Sequence, residues 1–295
     1  MGILNVTTDS FSDGGCHASL DVALRRADQM LEEGADILDI GGESTRPGAT
    51  PVPLDQELER VVPLVRALRD RNMPLSVDTY KPQVMRAVLD AGADLINDVW
   101  GFRQDGAIEV VRDSHCGLCV MHMQPMQHTS YEDVVGEVRG FLQLRADALV
   151  SAGIRPKRIC VDPGFGFGKA VIEGNYAMLA HLSDTSPQVS SCLGVDIGVD
   201  AGVDAGAETK PFPILAGMSR KSMLGAVTGR PVNERMAASI AAAVCAAQQG
   251  AAILRVHDVA PTVDALKIWA AMHEAARQRD SKAARQCGAS SSLKK

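Results

Sequence analysis

Asp78, Asn97 and Asp162, with the pair Arg255 and His257, each stand at or near the C-terminal end of a short apolar run. With Asp39 added, three carboxylates lie inside such runs, and a buried carboxylate needs a partner. A ligand carrying several N–H donors accounts for three acids and an amide better than isolated structural pairs do. The stretch from Val161 to Lys169 has one such acid, Asp162, followed by a glycine-rich loop with two aromatics and a lysine. Pro163 has no N–H for a ladder and stops the strand, and the glycines let backbone come close to a ligand. Alone, this is an ordinary strand end. Its repetition along the chain argues for a shared site.

Other residues divide between chemistry and structure. Arg255 and His257, two apart, share one face of a strand and suit a phosphate or diphosphate. The alternative is an Arg–carboxylate pair beside a satisfied His, which Asp258, pointing the other way, does not easily serve. Ser219-Arg220-Lys221-Ser222 puts two cations after an apolar run, which fits an anion or polar ligand. A Schiff-base lysine there is the minor reading, since it requires an apolar pocket. His115 to His122 looks like a metal cluster. Cys116 and Cys119, however, face opposite ways on a strand, and no second pair has zinc-site spacing. The cysteines are read as small core residues, with Cys119 and Met121 on one face.

Eight apolar runs position these residues. They begin at Gly2, Ile37, Leu75, Leu95, Leu118, Arg158, Ile214 and Ile253, the last running to His257. Helical patterns alternate with them. The first runs from an N-cap at Ser19 to Glu33, and the last from Pro261 to about Arg277. Continuous apolar runs suit strands buried on both faces. The alternation indicates a single-domain α/β fold, a (β/α)8 TIM barrel over residues 1–279, in which strand C-termini converge on one functional face. A length of 295 residues accommodates it. No early Gly-x-Gly-x-x-Gly supports a dinucleotide fold.

Two segments fall outside the pattern. A low-complexity insertion at about 187–210 carries Gly-Val-Asp three times between Gly194 and Gly206, on a helix-to-strand connection away from the chemistry. Its spacing is not that of a calcium loop. The polar end, 280–295, reads as a disordered tail.

A net charge of −6 argues against nucleic-acid and membrane-surface partners and leaves small-molecule substrates. No run spans a bilayer, and no basic region precedes the start as in a secretory signal. Seven scattered cysteines suit a reducing, cytoplasmic setting.

The chain resembles dihydropteroate synthase, a pterin-binding family of folate biosynthesis. The likeness is carried by Met1 to Gly15, Gly34 to Pro47, Ser76-Val77-Asp78-Thr79, Ile96-Asn97-Asp98-Val99, Asp162 to Lys169, Ser219 to Ser222 and Arg255-Val256-His257-Asp258. It implies condensation of 4-aminobenzoate with 6-hydroxymethyl-7,8-dihydropterin diphosphate, and inhibition by sulfonamides. Asp162 would accept the pterin's two-donor edge, with Asn97 and Asp78 beside it, Met121 on the ring face and Lys221 at its acceptors. Asn5 with Mg2+, Arg255 and His257 would hold the diphosphate. Phe167, Lys221 and Ser222 would form the aminobenzoate side. Loops carrying Phe11, Thr45, Arg46 and Pro47 would close over both substrates. The resemblance also implies a homodimer. Thr8 departs from the family's usual proline. A related pterin-binding methyltransferase would share the Asp and Asn contacts without needing Ser219 to Ser222.

Overall fold

The computed structural model describes residues 1–6, 15–44, 49–124, 131–188 and 210–292, with side chains described from residue 20 in the first helix and up to 279 in the last. Phe11, Thr45, Arg46, Pro47 and the Gly194 to Gly206 repeat lie outside the described residues.

All eight expected strands form. They are β1 (Gly2–Asn5), β2 (Leu38–Gly41), β3 (Leu75–Asp78), β4 (Leu95–Asp98), β5 (Gly117–Met121), β6 (Ile159–Asp162), β7 (Ile214–Ala216) and β8 (Ala251–Leu254). They pair in parallel and in chain order, and a Gly2–Val256 bridge brings the two edges together. There Ile3 N–H donates to Val256 O at 2.9 Å and Val256 N–H to Met1 O at 3.0 Å. The fold is the (β/α)8 barrel. A second seam is thin as well: β6 and β7 share a single register pair, Val161 with Ile214, and β7 then shifts register against β8.

The helices are α1 (Gly15–Glu32), α2 (Leu54–Leu68), α3 (Pro82–Ala91), α4 (Ala107–Arg112), α5 (Val134–Ser151), α6 (Glu173–Ala180), α7 (Ser222–Thr228), α8 (Met236–Gln248) and α9 (Val259–Ser292). Pro82 opens α3, where a missing N–H costs nothing. Gly92 closes it in the left-handed region with φ 113°, donating to Val88 and Leu89 carbonyls. Three boundaries differ from the sequence reading. α1 begins at Gly15, so Ser19 lies inside it and is not its N-cap. α9 continues to Ser292, through most of the expected tail. β8 ends at Leu254, so Arg255 and His257 stand just beyond the strand.

The strands read as apolar because their outward residues, such as Leu38, Ile40, Val77, Leu118 and Val161, are buried against the helices. Their inward residues are mixed. Cys119, Cys160 and Leu215 pack inside the barrel with Leu95 and Ile253 at their edge. Above them, toward the strand C-termini, the interior turns polar.

Candidate functional site

The polar floor is built on alternate strand residues. Register places Asp78 beside Asn97, Asn97 beside Cys119, and Met121 beside Asp162. Asp39, fully buried on β2, is its hub. It accepts from Arg255 Nε at 2.5 Å, Ser76 Oγ at 2.5 Å and Asn97 Nδ2 at 3.4 Å. Arg255 Nη2 also donates to Asp78 Oδ2 at 2.9 Å. Burial opposes the guanidinium's charge, but Asp39 and Asp78 outweigh it and raise its pKa. Burial pushes Asp78 up to about 7 despite the opposing pull of Arg255. Arg255 is therefore held by two carboxylates. Two of its five N–H groups serve these acids.

Two buried acceptors at this floor, Asp78 Oδ1 and Asn97 Oδ1, have no donor among the described residues. An unpaired buried acceptor forfeits its hydration and costs about 1–3 kcal/mol. Across the mouth, Asp162 turns Oδ1 to Gly164 N–H at 2.7 Å and keeps Oδ2 outside that bond. Its pKa is raised by burial and held back by Lys221 and the Gly164 bond.

The loop after β6 forms the next wall. Lys221 Nζ donates to Phe165 O at 2.6 Å and stands 4.6 Å from the centre of the Phe167 ring. Burial lowers this ammonium to about 8 against the attraction of Asp162. Phe167 packs with Val99 and Met121 in a small apolar cluster, with Tyr80 and Met123 at its edge. Ser222 is the exposed first residue of α7.

His257 Nδ1 lies 3.0 Å from Ser219 Oγ, so the two rim segments meet. Arg220 instead forms a two-point pair with Asp258, at 2.6 and 3.2 Å. That corrects the reading of adjacent anion-seeking cations: Arg220 is a structural residue, and Asp258 is its partner. Asn5 is exposed at the end of β1, and a Cβ on Gly41 would come within 3.0 Å of its Oδ1. Glycine at 41 thus keeps space beside this oxygen. Among the described residues no group of three or more His, Cys, Asp or Glu could hold a metal. Any ion at Asn5 would take its other ligands from substrate and water, as Mg2+ commonly does.

The structure thus brings Asp78, Asn97, Met121, Asp162, Phe167, Lys221, Arg255 and His257 to one end of the barrel. Sequence reasoning left out three parts of it. Asp39 was seen as a buried acid but given no site role, because its partner Arg255 is 216 positions away. Val99 carried no signal beyond an apolar strand end. A rim cluster was missed altogether: Lys81 Nζ donates to Glu43 and Glu57, both at 2.5 Å, and to Val52 O at 2.7 Å, while Tyr80 donates to Glu43 at 3.1 Å. Lys81 thereby ties together the two stems of the segment carrying Thr45, Arg46 and Pro47.

The family model for pterin-binding enzymes matches residues 1–257. Dihydropteroate synthase of Haemophilus influenzae is 46% identical over 277 residues, covering 92% of each chain. That of Escherichia coli is 43% identical, covering 91% of this chain and 89% of its own. Among solved structures, Burkholderia cenocepacia dihydropteroate synthase complexed with 7,8-dihydropteroate superposes with a TM-score of 0.83 at 59% identity, covering 94% of this chain and 92% of that one. The Xanthomonas albilineans enzyme with 4-aminobenzoic acid gives 0.80 at 49% identity, covering 92% of each. The chain belongs to the pterin-binding enzyme family, and within it to the dihydropteroate synthases.

Proposed function

We propose that this chain condenses 4-aminobenzoate with 6-hydroxymethyl-7,8-dihydropterin diphosphate, giving 7,8-dihydropteroate and diphosphate, with the roles divided as follows. The observation that carries this reading is the set of acceptors left open at the polar floor. Asp78 Oδ1 and Asn97 Oδ1 lack donors, and Asp162 keeps Oδ2 free of the Gly164 bond. A reduced pterin presents adjacent N–H groups that fill such a set. Met121 and Val99 supply an apolar face for the ring.

The carbon–oxygen bond to diphosphate breaks with its electron pair, leaving a cation at the pterin methylene. The electron-rich ring disperses that charge, and the carboxylates facing the ring support it. The arylamine nitrogen then attacks the methylene and releases its proton. The remaining N–H groups of Arg255, with His257 at the rim, balance charge growing on the departing diphosphate. Charged contacts of this kind, preorganised before the reaction, are worth a few kcal/mol in the transition state. When bound at Asn5, Mg2+ would add positive charge beside the same oxygens. Phe167 offers an aromatic face to aminobenzoate, Lys221 a stem to pack against, and Ser222 polar groups for the carboxylate. Phe11, Thr45, Arg46 and Pro47 belong to the covering loops in this reading. A homodimer in the cytoplasm is part of the same proposal, and sedimentation of the purified chain checks its assembly.

The test is incubation of the purified chain with both substrates and Mg2+. Equal amounts of dihydropteroate and diphosphate are expected. Methyl transfer to a corrinoid without condensation would replace this reading with that of the related methyltransferases.

A further inference from the structure

Lys169 is a buried cation to which the reaction assigns no task. Only 6% of it is exposed, and none of its hydrogen-bond partners is a carboxylate. Its Nζ reaches Gly164 O at 2.8 Å, Phe167 O at 3.0 Å and His122 Nδ1 at 2.9 Å. An ammonium has three N–H donors and no acceptor, so all three are used. With Lys169 protonated, the third bond selects the His122 tautomer whose Nδ1 bears no proton. Burial, then Lys169, lowers His122 to about 3, which keeps its ring neutral.

The loop that Lys169 grips is shaped to receive it. Gly164, Gly166 and Gly168 have φ of 70°, 81° and 65°, the left-handed region that glycine enters without strain. A Cβ on Gly164 would fall 1.9 Å from His122 O, and one on Gly168 2.6 Å from Gln124 O. The loop therefore lies flat on the chain leaving β5. From the other side Lys221 takes Phe165 O and stands over the Phe167 ring. Two ammoniums thus hold the same loop, one taking the Gly164 and Phe167 carbonyls and the other the carbonyl of Phe165.

We propose that Lys169 is a positioning residue: through Gly164 O, Phe167 O and His122 Nδ1, its ammonium fixes the loop that sets Phe167 and Lys221 against the aminobenzoate side of the site. This rests on the proposed reading of Phe167 and Lys221 as that side. Without Lys169, Phe167 O and the histidine nitrogen lose their donor and Gly164 O keeps only the Phe167 N–H at 3.2 Å, so the loop loses its tie to His122 on the β5 side while Asp162, Asn175 and Lys221 still hold its other bonds. Phe167 and Lys221 would move with it, while the strand-borne acids Asp78 and Asp162 would stay in place.

The experiment measures KM for 4-aminobenzoate and Kd for the dihydropterin diphosphate in Lys169→Met, Lys169→Ala and Phe167→Ala. In the Lys169 variants KM should rise at least about tenfold while the pterin Kd moves less than about threefold, as expected for misplaced positioning groups. Propylammonium, which matches the deleted part of the side chain, should restore Lys169→Ala, and uncharged 1-propanol should not. If Phe167→Ala raises KM and neither Lys169 variant does, the inference is overturned. Equal rescue by propanol overturns it too, because volume alone would then suffice. If Phe167→Ala leaves KM unmoved, the aminobenzoate reading falls first and this one with it. Lys169→Met, close to lysine in volume, keeps the test decisive if the alanine variant folds poorly.

Discussion

Asp39→Asn is the sharpest perturbation of the polar floor, because it removes one charge and almost no volume. Asp39 Oδ2 faces Arg255 Nε, and Oδ1 faces the Ser76 hydroxyl. An asparagine would keep its carbonyl toward Arg255 and turn its NH2 to Ser76, whose hydroxyl can rotate to accept. The hydrogen bonds largely survive, and the ion pair is what is lost. Removing one partner of a buried pair costs about 3–5 kcal/mol. Arg255 keeps Asp78 at 2.9 Å, so the loss should be nearer ~2–3 kcal/mol, a hydrogen bond to a charged group being worth roughly 1.5–3. For a chain of this size that lowers Tm by roughly 3–5 °C. A second consequence has an independent readout. Asp39 is among the charges that hold Asp78 up at about 7, so the Asp78 pKa should fall in the variant. Scanning calorimetry gives the first quantity, and the acid limb of the pH profile for pterin binding gives the second. An unchanged Tm with an unmoved acid limb would refute the view that Asp39 organises this floor.

Three further outcomes are expected. Asp162→Asn should weaken pterin binding by on the order of 1–3 kcal/mol in calorimetric titration while the fold survives, since a donor then faces the ligand's N–H groups; unchanged affinity removes Asp162 from the pocket. Stability should rise with pH between about 8 and 10, because Lys169 falls to about 7 and Lys221 to about 8 in the folded protein while both keep the ordinary 10.5 when unfolded. The unfolded chain then binds the extra protons, each lysine contributing up to ~1.4 kcal/mol per pH unit, and urea midpoints of Lys169→Met should show a shallower slope. Replacing Gly194 to Gly206 with a short Gly-Ser linker should leave kcat nearly intact, because Gln188 and Pro211 already bridge the stems and added loop length costs little; a large fall in kcat at normal Tm would tie the segment to the catalytic face.

The eight strands could be read from the sequence because their outward faces are apolar wherever helices cover them. The same runs carried the site at every second residue, as with Asp78 on β3 and Arg255 beyond β8. Partner choice was not legible. A lone acid inside an apolar run says that something must meet it, but nothing in the spacing says that Arg255 does so, or that Asp258 takes Arg220 instead. Lys169 was visible as the end of a motif. Its burial depends on where β5 and the glycine turns place His122, which is a matter of packing, not of periodicity. The start of α1 at Gly15 shows the limit of cap signals, since the serine at 19 is helical.

The thin seam between β6 and β7 has a consequence for the protein's breathing. A line of weak pairing is where a barrel opens cheaply, and amides along it should exchange with solvent well before those of β2 to β5. Asp162 lies on one bank of that seam and Lys221 follows the strand on the other. A pterin held by both would act as the missing rung of the ladder. Ligand binding should then slow exchange most sharply at Val161, Asp162, Ile214 and Leu215, and the mass-action gain in stability would be concentrated at a seam that one register pair secures.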